Sequence, residues 1–189
     1  MERELPVIET KRLTLRLCPP EVEEIVAYYM RNRRHLREFT PVREEDFYTI
    51  AYWKNQLVEN MFEFENDQSV RLFMHDNSKP NTIIGTVNFS NIVRRAAQYA
   101  NLGYDLDEKK QGQGLMHEGL KATISYVFAE LNLHRINANY MPTNDRSGRV
   151  LRRLGFVVDG YARDYLRING RWRDHIMTSL TNAEWREPH

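Results

Sequence analysis

The sequence predicts a mixed α/β fold: a sheet that is mainly antiparallel in its N-terminal half, flanked by helices. Strand-like and helix-like runs follow one another as β, α, α, β, β, β, α, β, α, β, β. Near the end, Asn169-Gly170 stands between two strand-like runs, the strongest short signal for a type I′ hairpin. No linker, repeat or low-complexity stretch interrupts the 189 residues, so residues 1–189 are expected to form a single domain.

Leu13, Leu15 and Leu17 alternate with Thr14 and Arg16, the period of a half-buried strand that Pro19-Pro20 ends. Glu21–Arg31 follows as a short helix, with Val22, Ile25, Val26 and Tyr29 on one side. Glu44–Phe62 is helical by its three- and four-residue steps of Ile50, Trp53, Leu57, Val58 and Met61. Its aromatic set, Phe47, Tyr48, Tyr52, Trp53, Phe62 and Phe64, suits either core packing or the wall of a cleft.

Three strands are then expected, Ser69–His75, Thr82–Ile92 and Gln98–Leu106, the first two joined by a hairpin loop over residues 76–81. A long helix runs from about Gly114 to Leu131 on a stripe of Leu120, Ile124, Val127 and Leu131. His134–Tyr140 is a further strand, stopped by Met141-Pro142. Asn144 is placed to cap a helix that ends at Leu154, with Gly155 just past its end. Phe156–Ile168 and Trp172–Leu180 close the chain as the predicted hairpin.

Composition excludes several function classes. Twenty-seven Lys and Arg against 26 Asp and Glu give a net charge of +1, which argues against a dedicated nucleic-acid binder. The single Cys18 excludes a disulfide framework and a CxxC metal site, and the six scattered histidines do not form a zinc-ligand pattern, so no metal is expected. The opening Met1–Leu5 has no apolar run of the kind a secretory signal needs, and no window suits a membrane span, so a cytoplasmic location is expected.

The most informative stretch is Leu102–Met116. A strand runs into a turn carrying Gly112 and Gly114, and the turn opens a helix. Glycines allow close backbone approach, and a helix N-terminus carries about half a positive charge, so the turn suits a pyrophosphate. A dinucleotide-binding G-x-G-x-x-G fails, because position 117 is His117. A P-loop fails too, because Leu120 follows Gly119 and Lys121 comes one residue late. On spacing alone, a simple tight turn remains open.

The run Lys109-Lys110-Gln111-Gly112-Gln113-Gly114 resembles the Q/R-x-x-G-x-G/A loop of the GNAT family of acyl-CoA-dependent N-acetyltransferases, with Lys109 replacing the usual Gln or Arg. Thr10–Arg16, Ile84–Phe89, Asn144-Asp145-Arg146-Ser147 and Leu154-Gly155-Phe156 resemble, in the same order, motifs of its RimJ/RimL branch. Longer runs, Val87–Asn91, Gln111–Met116, Ala138–Pro142 and Gly170–His175, are similar to the ribosomal-protein alanine N-acetyltransferases of that branch.

The resemblance implies a GNAT fold and acetyl transfer from acetyl-CoA to the N-terminal alanine α-amine of a small-subunit ribosomal protein. It implies that the amides of Lys109, Lys110, Gln111, Gly112, Gln113 and Gly114 hold the pyrophosphate. The thioester arm would lie along the backbone of Leu102, Gly103 and Tyr104, with Asn144 on the pantetheine. Many GNAT enzymes carry a tyrosine proton donor seven residues after that asparagine and a glutamate base at the end of the preceding strand. Here those positions are Leu151 and Asn139, neither of which can serve. The branch pattern instead implies Ser147 as proton donor to the thiolate and Asp164, before Tyr165, as general base, directly or through water.

The same residues have plainer readings. Asn144 and Ser147 suit simple helix capping, and Asp164 beside Arg163 suits a surface ion pair. Glu118 suits the positive end of its helix, and His117, His134 and His175 suit packing or surface positions. The basic run Arg146, Arg149, Arg152, Arg153 fits a solvated face, ribosomal RNA or the adenosine 3′-phosphate. Two other functions stay open: acetylation of a small amine such as a polyamine or antibiotic, and a weakly catalytic, ribosome-associated acyl-CoA-binding module. The expected partners are a ribosomal-protein N-terminus and the ribosome, and no membrane; the protein is expected as a monomer or a homodimer.

Overall fold

A computed structural model describes residues 4–187, so Met1–Arg3, part of the segment read for a leader, lie outside it. The strands are β1 (Val7–Glu9), β2 (Leu13–Arg16), β3 (Val70–Asp76), β4 (Lys79–Val93), β5 (Tyr99–Leu106), β6 (Arg135–Tyr140), β7 (Val157–Ile168) and β8 (Arg171–Thr181). They form one sheet in the order β1-β2-β3-β4-β5-β6-β8-β7. The helices are α1 (Val22–Leu36), α2 (Ile50–Glu65), α3 (Leu115–Glu130) and α4 (Asp145–Arg153). Among the described residues, no helix is long and apolar enough to cross a membrane.

Neighbouring strands are antiparallel except β5 and β6. That pair is parallel because α3 carries the chain back across the sheet between them, as a parallel connection requires. Strand alternation divides the core in two. Leu72, Met74 and Ile84 belong to the cluster that holds Leu120 and Ile124 of α3 and Leu151 of α4. Phe73 and Ile83, one position out of phase, belong to the cluster of Tyr28 and Tyr29 from α1 and Trp53 from α2. Tyr29 stacks on Trp53 at 5.2 Å between ring centres, and the Trp53 indole N–H donates to the Phe47 carbonyl at 2.8 Å.

The structure corrects several boundaries. The helix expected over Glu44–Phe62 is a 3₁₀ turn, Glu45–Tyr48, followed by α2. Thr49 separates them: its backbone is extended and its hydroxyl caps the Tyr52 N–H, a role that threonine fills better than a helix interior. Of the aromatic set, Phe47, Trp53 and Phe64 are core residues. Helix α1 continues five residues past the expected Arg31, to Leu36, whose side chain is buried. The expected six-residue loop between β3 and β4 shrinks to Asn77-Ser78, because Asp76 accepts hydrogen bonds from the Ser78 N–H at 2.9 Å and hydroxyl at 2.6 Å. The three-residue edge strand β1 carries no periodicity of its own; pairing with β2 forms it.

The Asn169-Gly170 turn is as expected, with φ of +46° and +77°. Its tip rests on the segment after α1: the Asn169 N–H donates to the Thr40 carbonyl at 3.0 Å, and Arg37 Nε to Asn169 Oδ1 at 3.1 Å. The long exposed hairpin is thereby held against the end of α1.

Candidate active site

The sheet opens where β5 and β6 part. Their register runs from Tyr99 opposite Arg135 to Leu102 opposite Ala138, and stops there. Gly103 to Leu106 stay paired with β4 but have no partner on the β6 side. The expected V-shaped opening is therefore present. Its free edge begins at Gly103, since Leu102 still lies in the ladder.

A cleft of about 320 Å³ occupies this opening. Its walls are His35 and Leu36 at the end of α1, Phe39 just beyond it, Tyr104–Leu106 of β5, Gln111, Gly112 and Gly114 of the loop, the start of α3, and Asn144 with one face of α4, including Ser147 and Val150. None of the aromatic residues of Phe47–Phe64 lines it; Phe47, Trp53 and Phe64 are buried in the core, Tyr48 and Tyr52 pack against it, and Phe62 is exposed.

The loop is built for backbone exposure. Asp107 caps the 3₁₀ turn Glu108–Lys110 by accepting from the Lys109 N–H at 2.9 Å. Lys110 Nζ donates to Asp76 at 2.6 Å; that hydrogen bond, the first of several causes, lowers the Asp76 carboxyl to about 2. Gly112 and Gly114 have φ of +74° and +75°, values that side chains disfavour, and Gly114 is the residue from which α3 starts. Gln113 donates to the Lys109 carbonyl at 3.2 Å, and its own carbonyl accepts from Arg12 at 2.9 Å. Lys109, Lys110 and Gln113 thus brace the loop from outside the cleft lining, whereas Gln111, Gly112 and Gly114 face the cleft. Gln111 donates to His35 Nε2 at 2.8 Å and accepts from Arg146, which ties α1, the loop and α4 together.

Asn144 caps α4, with Oδ1 accepting from the Ser147 N–H at 3.2 Å. Its carbonyl oxygen is committed to the cap, so its NH₂ is the group left for a ligand. The cap sets Ser147 in the first turn, and Ser147 Oγ lies 2.7 Å from the Tyr104 hydroxyl. Burial pushes the Tyr104 phenol up to about 12, with the Ser147 hydrogen bond opposing, so it stays protonated at neutral pH. The Tyr104 hydroxyl was not among the expected catalytic groups; only β5 alternation, which turns its side chain toward α4, hints at it.

Asp164 lies elsewhere. It sits on the exposed bulge of β7 between Ala162 and Leu166, at φ +46°, and its N–H donates to Asp174 at 2.9 Å. It belongs to the hairpin that leans on the end of α1 and is not among the residues lining the cleft. Arg146, Arg149 and Arg153 do line it, while Arg152 does not. His117 is at the cleft, His134 packs edge-on against Trp185, and buried His175 packs against Tyr165. Glu118 joins Thr10 at 2.7 Å and Arg12 at 2.6 Å, fastening the N-terminal segment to α3. Among the described residues, no group of three His, Cys, Asp or Glu side chains is placed to hold a metal ion.

The chain is similar to known acetyltransferases. Residues 12–157 match the family model described as Acetyltransferase (GNAT) domain. The [ribosomal protein uS5]-alanine N-acetyltransferase of Escherichia coli is 42% identical over 179 residues, 94% of this chain and 92% of that one. A probable N-acetyltransferase of Bacillus subtilis, YjcK, is 36% identical over 177 residues, 92% of this chain and 97% of that one. The crystal structure of a ribosomal-protein-S5-alanine acetyltransferase from Vibrio fischeri superposes with a TM-score of 0.92 at 38% identity, covering 96% of this chain and 100% of that one.

Proposed function

This chain belongs to the GNAT acetyltransferases, and on that premise we propose that it moves the acetyl group of acetyl-CoA onto the N-terminal alanine α-amine of a small-subunit ribosomal protein. The observation that carries the substrate is the 42% identity to the uS5-alanine enzyme, spread over 94% of the chain. Residues 1–189 act as one domain in this reading, in the cytoplasm where ribosomes are. Mass spectrometry of ribosomal proteins from cells with and without the protein tests it. Loss of an N-terminal acetyl group from one small-subunit protein is expected, and an unchanged acetylation pattern overturns the reading.

In this reading the exposed amides of the Gln111–Gly114 turn receive the pyrophosphate, helped by the positive end of α3. Arg146, Arg149 and Arg153 balance further phosphate charge at the mouth. The unpaired edge of β5 at Gly103 and Tyr104 hydrogen-bonds the arm, and the Asn144 NH₂ adds a contact. Ser147 gives its proton to the departing thiolate and is resupplied by Tyr104, 2.7 Å away.

The resemblance to the branch is what supports Asp164 as the base in this reading; because it stands on the β7 bulge outside the cleft lining, it would take the proton of the attacking amine only through water, from the hairpin side. An α-amine titrates near 7.7–8.0 against about 10.4 for lysine, so about a tenth is already neutral at pH 7 and a weak base suffices. Asp164→Asn is therefore expected to lower kcat/KM more at about pH 6.5 than at about pH 9, where the amine is neutral without help. Equal losses at both pH values would mean that the carboxylate binds substrate and does not take the proton.

A further inference from the structure

Asp105 follows Tyr104 on β5, and strand alternation sends the two side chains to opposite faces of the sheet. Tyr104 meets Ser147 of α4; Asp105 meets Tyr28 of α1, whose hydroxyl donates to Oδ1 at 2.5 Å. Thr86, opposite Asp105 in the β4 register, hydrogen-bonds the carboxyl as well. The charged and titratable groups facing it are Tyr28 and Tyr29 of α1 and Arg43 of the following segment, whose guanidinium lies 4.0 Å over the Phe47 ring. Even so, Asp105 is only half-buried and is part of the cleft wall, at the point where β5 has lost its β6 partner.

A carboxylate beside an aromatic cluster is costly to keep. Burial pushes the Asp105 carboxyl up, and the hydrogen bonds from Tyr28 and Thr86 and the charge of Arg43 offset only part of that. An asparagine would keep the side chain's shape and the acceptor for the Tyr28 hydroxyl while removing the charge. An acidic side chain in the cleft wall, at the place where β5 has left β6, suits a cationic ligand. The acceptor amine is such a cation before it reacts, since most of it is protonated at neutral pH. Ser147 and the glycine loop mark the thioester side of the opening, and Asp105 stands on the other face of the same strand.

We propose that Asp105 recognises the acceptor, binding the ammonium of the incoming α-amine on the α1 side of the β5–β6 opening. This inference rests on the proposed acetylation of an N-terminal amine. The test compares the full-length protein with Asp105→Asn, using acetyl-CoA and a synthetic peptide that begins with alanine. The peptide KM is expected to rise about tenfold or more, the loss of one charge-assisted hydrogen bond, while the KM for acetyl-CoA stays within about twofold.

Folding gives a second readout. Because burial raises the Asp105 carboxyl, its ionised form weakens the fold at high pH, and the penalty fades as pH falls through the raised value. The asparagine variant is thus expected to have a higher Tm than the parent at about pH 8, the gap closing in acid. An unchanged peptide KM overturns the proposal. A lowered Tm with both KM values raised overturns it too, since that is what a structural carboxylate would give. If the unmodified protein acetylates no N-terminal peptide, the proposed function fails and this inference falls with it.

Discussion

Ser147→Ala is expected to lower kcat by roughly 10–100-fold, within or below the usual range for acid–base catalysis, with the KM for acetyl-CoA within about twofold. The size follows from the leaving group. A thiol titrates near 8.5, so the CoA thiolate departs fairly well unaided and loss of its proton donor is only moderately harmful. The fold should tolerate the change, because Asn144 caps the Ser147 backbone N–H, which alanine keeps. Tyr104→Phe supplies the control. It removes the hydroxyl 2.7 Å from Ser147 while keeping the ring, and it should lower kcat by less than Ser147→Ala. Steady-state kinetics measures both; an unchanged kcat in Ser147→Ala removes Ser147 from the chemistry and leaves it only a hydrogen-bond partner of Tyr104.

Gly112→Val is expected to raise the KM for acetyl-CoA by about tenfold or more. At φ +74° a β-branched residue is strained, so the loop must distort to hold it. A side chain at Gly112 would meet nothing of the protein within 4 Å, so it would stand in the open space before the loop, where the pyrophosphate has to approach the amides. The effect should therefore fall on ligand binding more than on folding. Titration with acetyl-CoA, alongside a melting curve showing that the variant is folded, decides the matter. An unchanged KM in a folded variant refutes the loop as the phosphate site.

Short-range chemistry made much of this protein legible from its residues. Alternation in Leu13–Leu17, the Asn169-Gly170 turn, the Asn144 cap and the positive-φ glycines of the loop all act within a few residues, and each is found as read. Ser147 is singled out by the resemblance to the family branch; what is local is the Asn144 cap that holds it in the first turn of α4. The misplaced boundaries have local causes of their own, the Thr49 cap and the Asp76–Ser78 hydrogen bonds, which overruled the hydrophobic period.

Contacts between distant segments decided the rest. The splay of β5 from β6 depends on where a parallel pairing ends, and no residue pattern in either strand records that. The 2.7 Å contact of Tyr104 with Ser147 joins residues 43 apart, and Tyr28 with Asp105 joins residues 77 apart. The tip of the β7–β8 hairpin leans on Thr40, and Asp164 stands on an exposed bulge of that hairpin, outside the cleft lining. A sequence states which side chains are able to donate, accept or carry charge. Which of them meet depends on how strands pair and helices cross, and those choices are made by the burial of the whole core, to which every residue contributes.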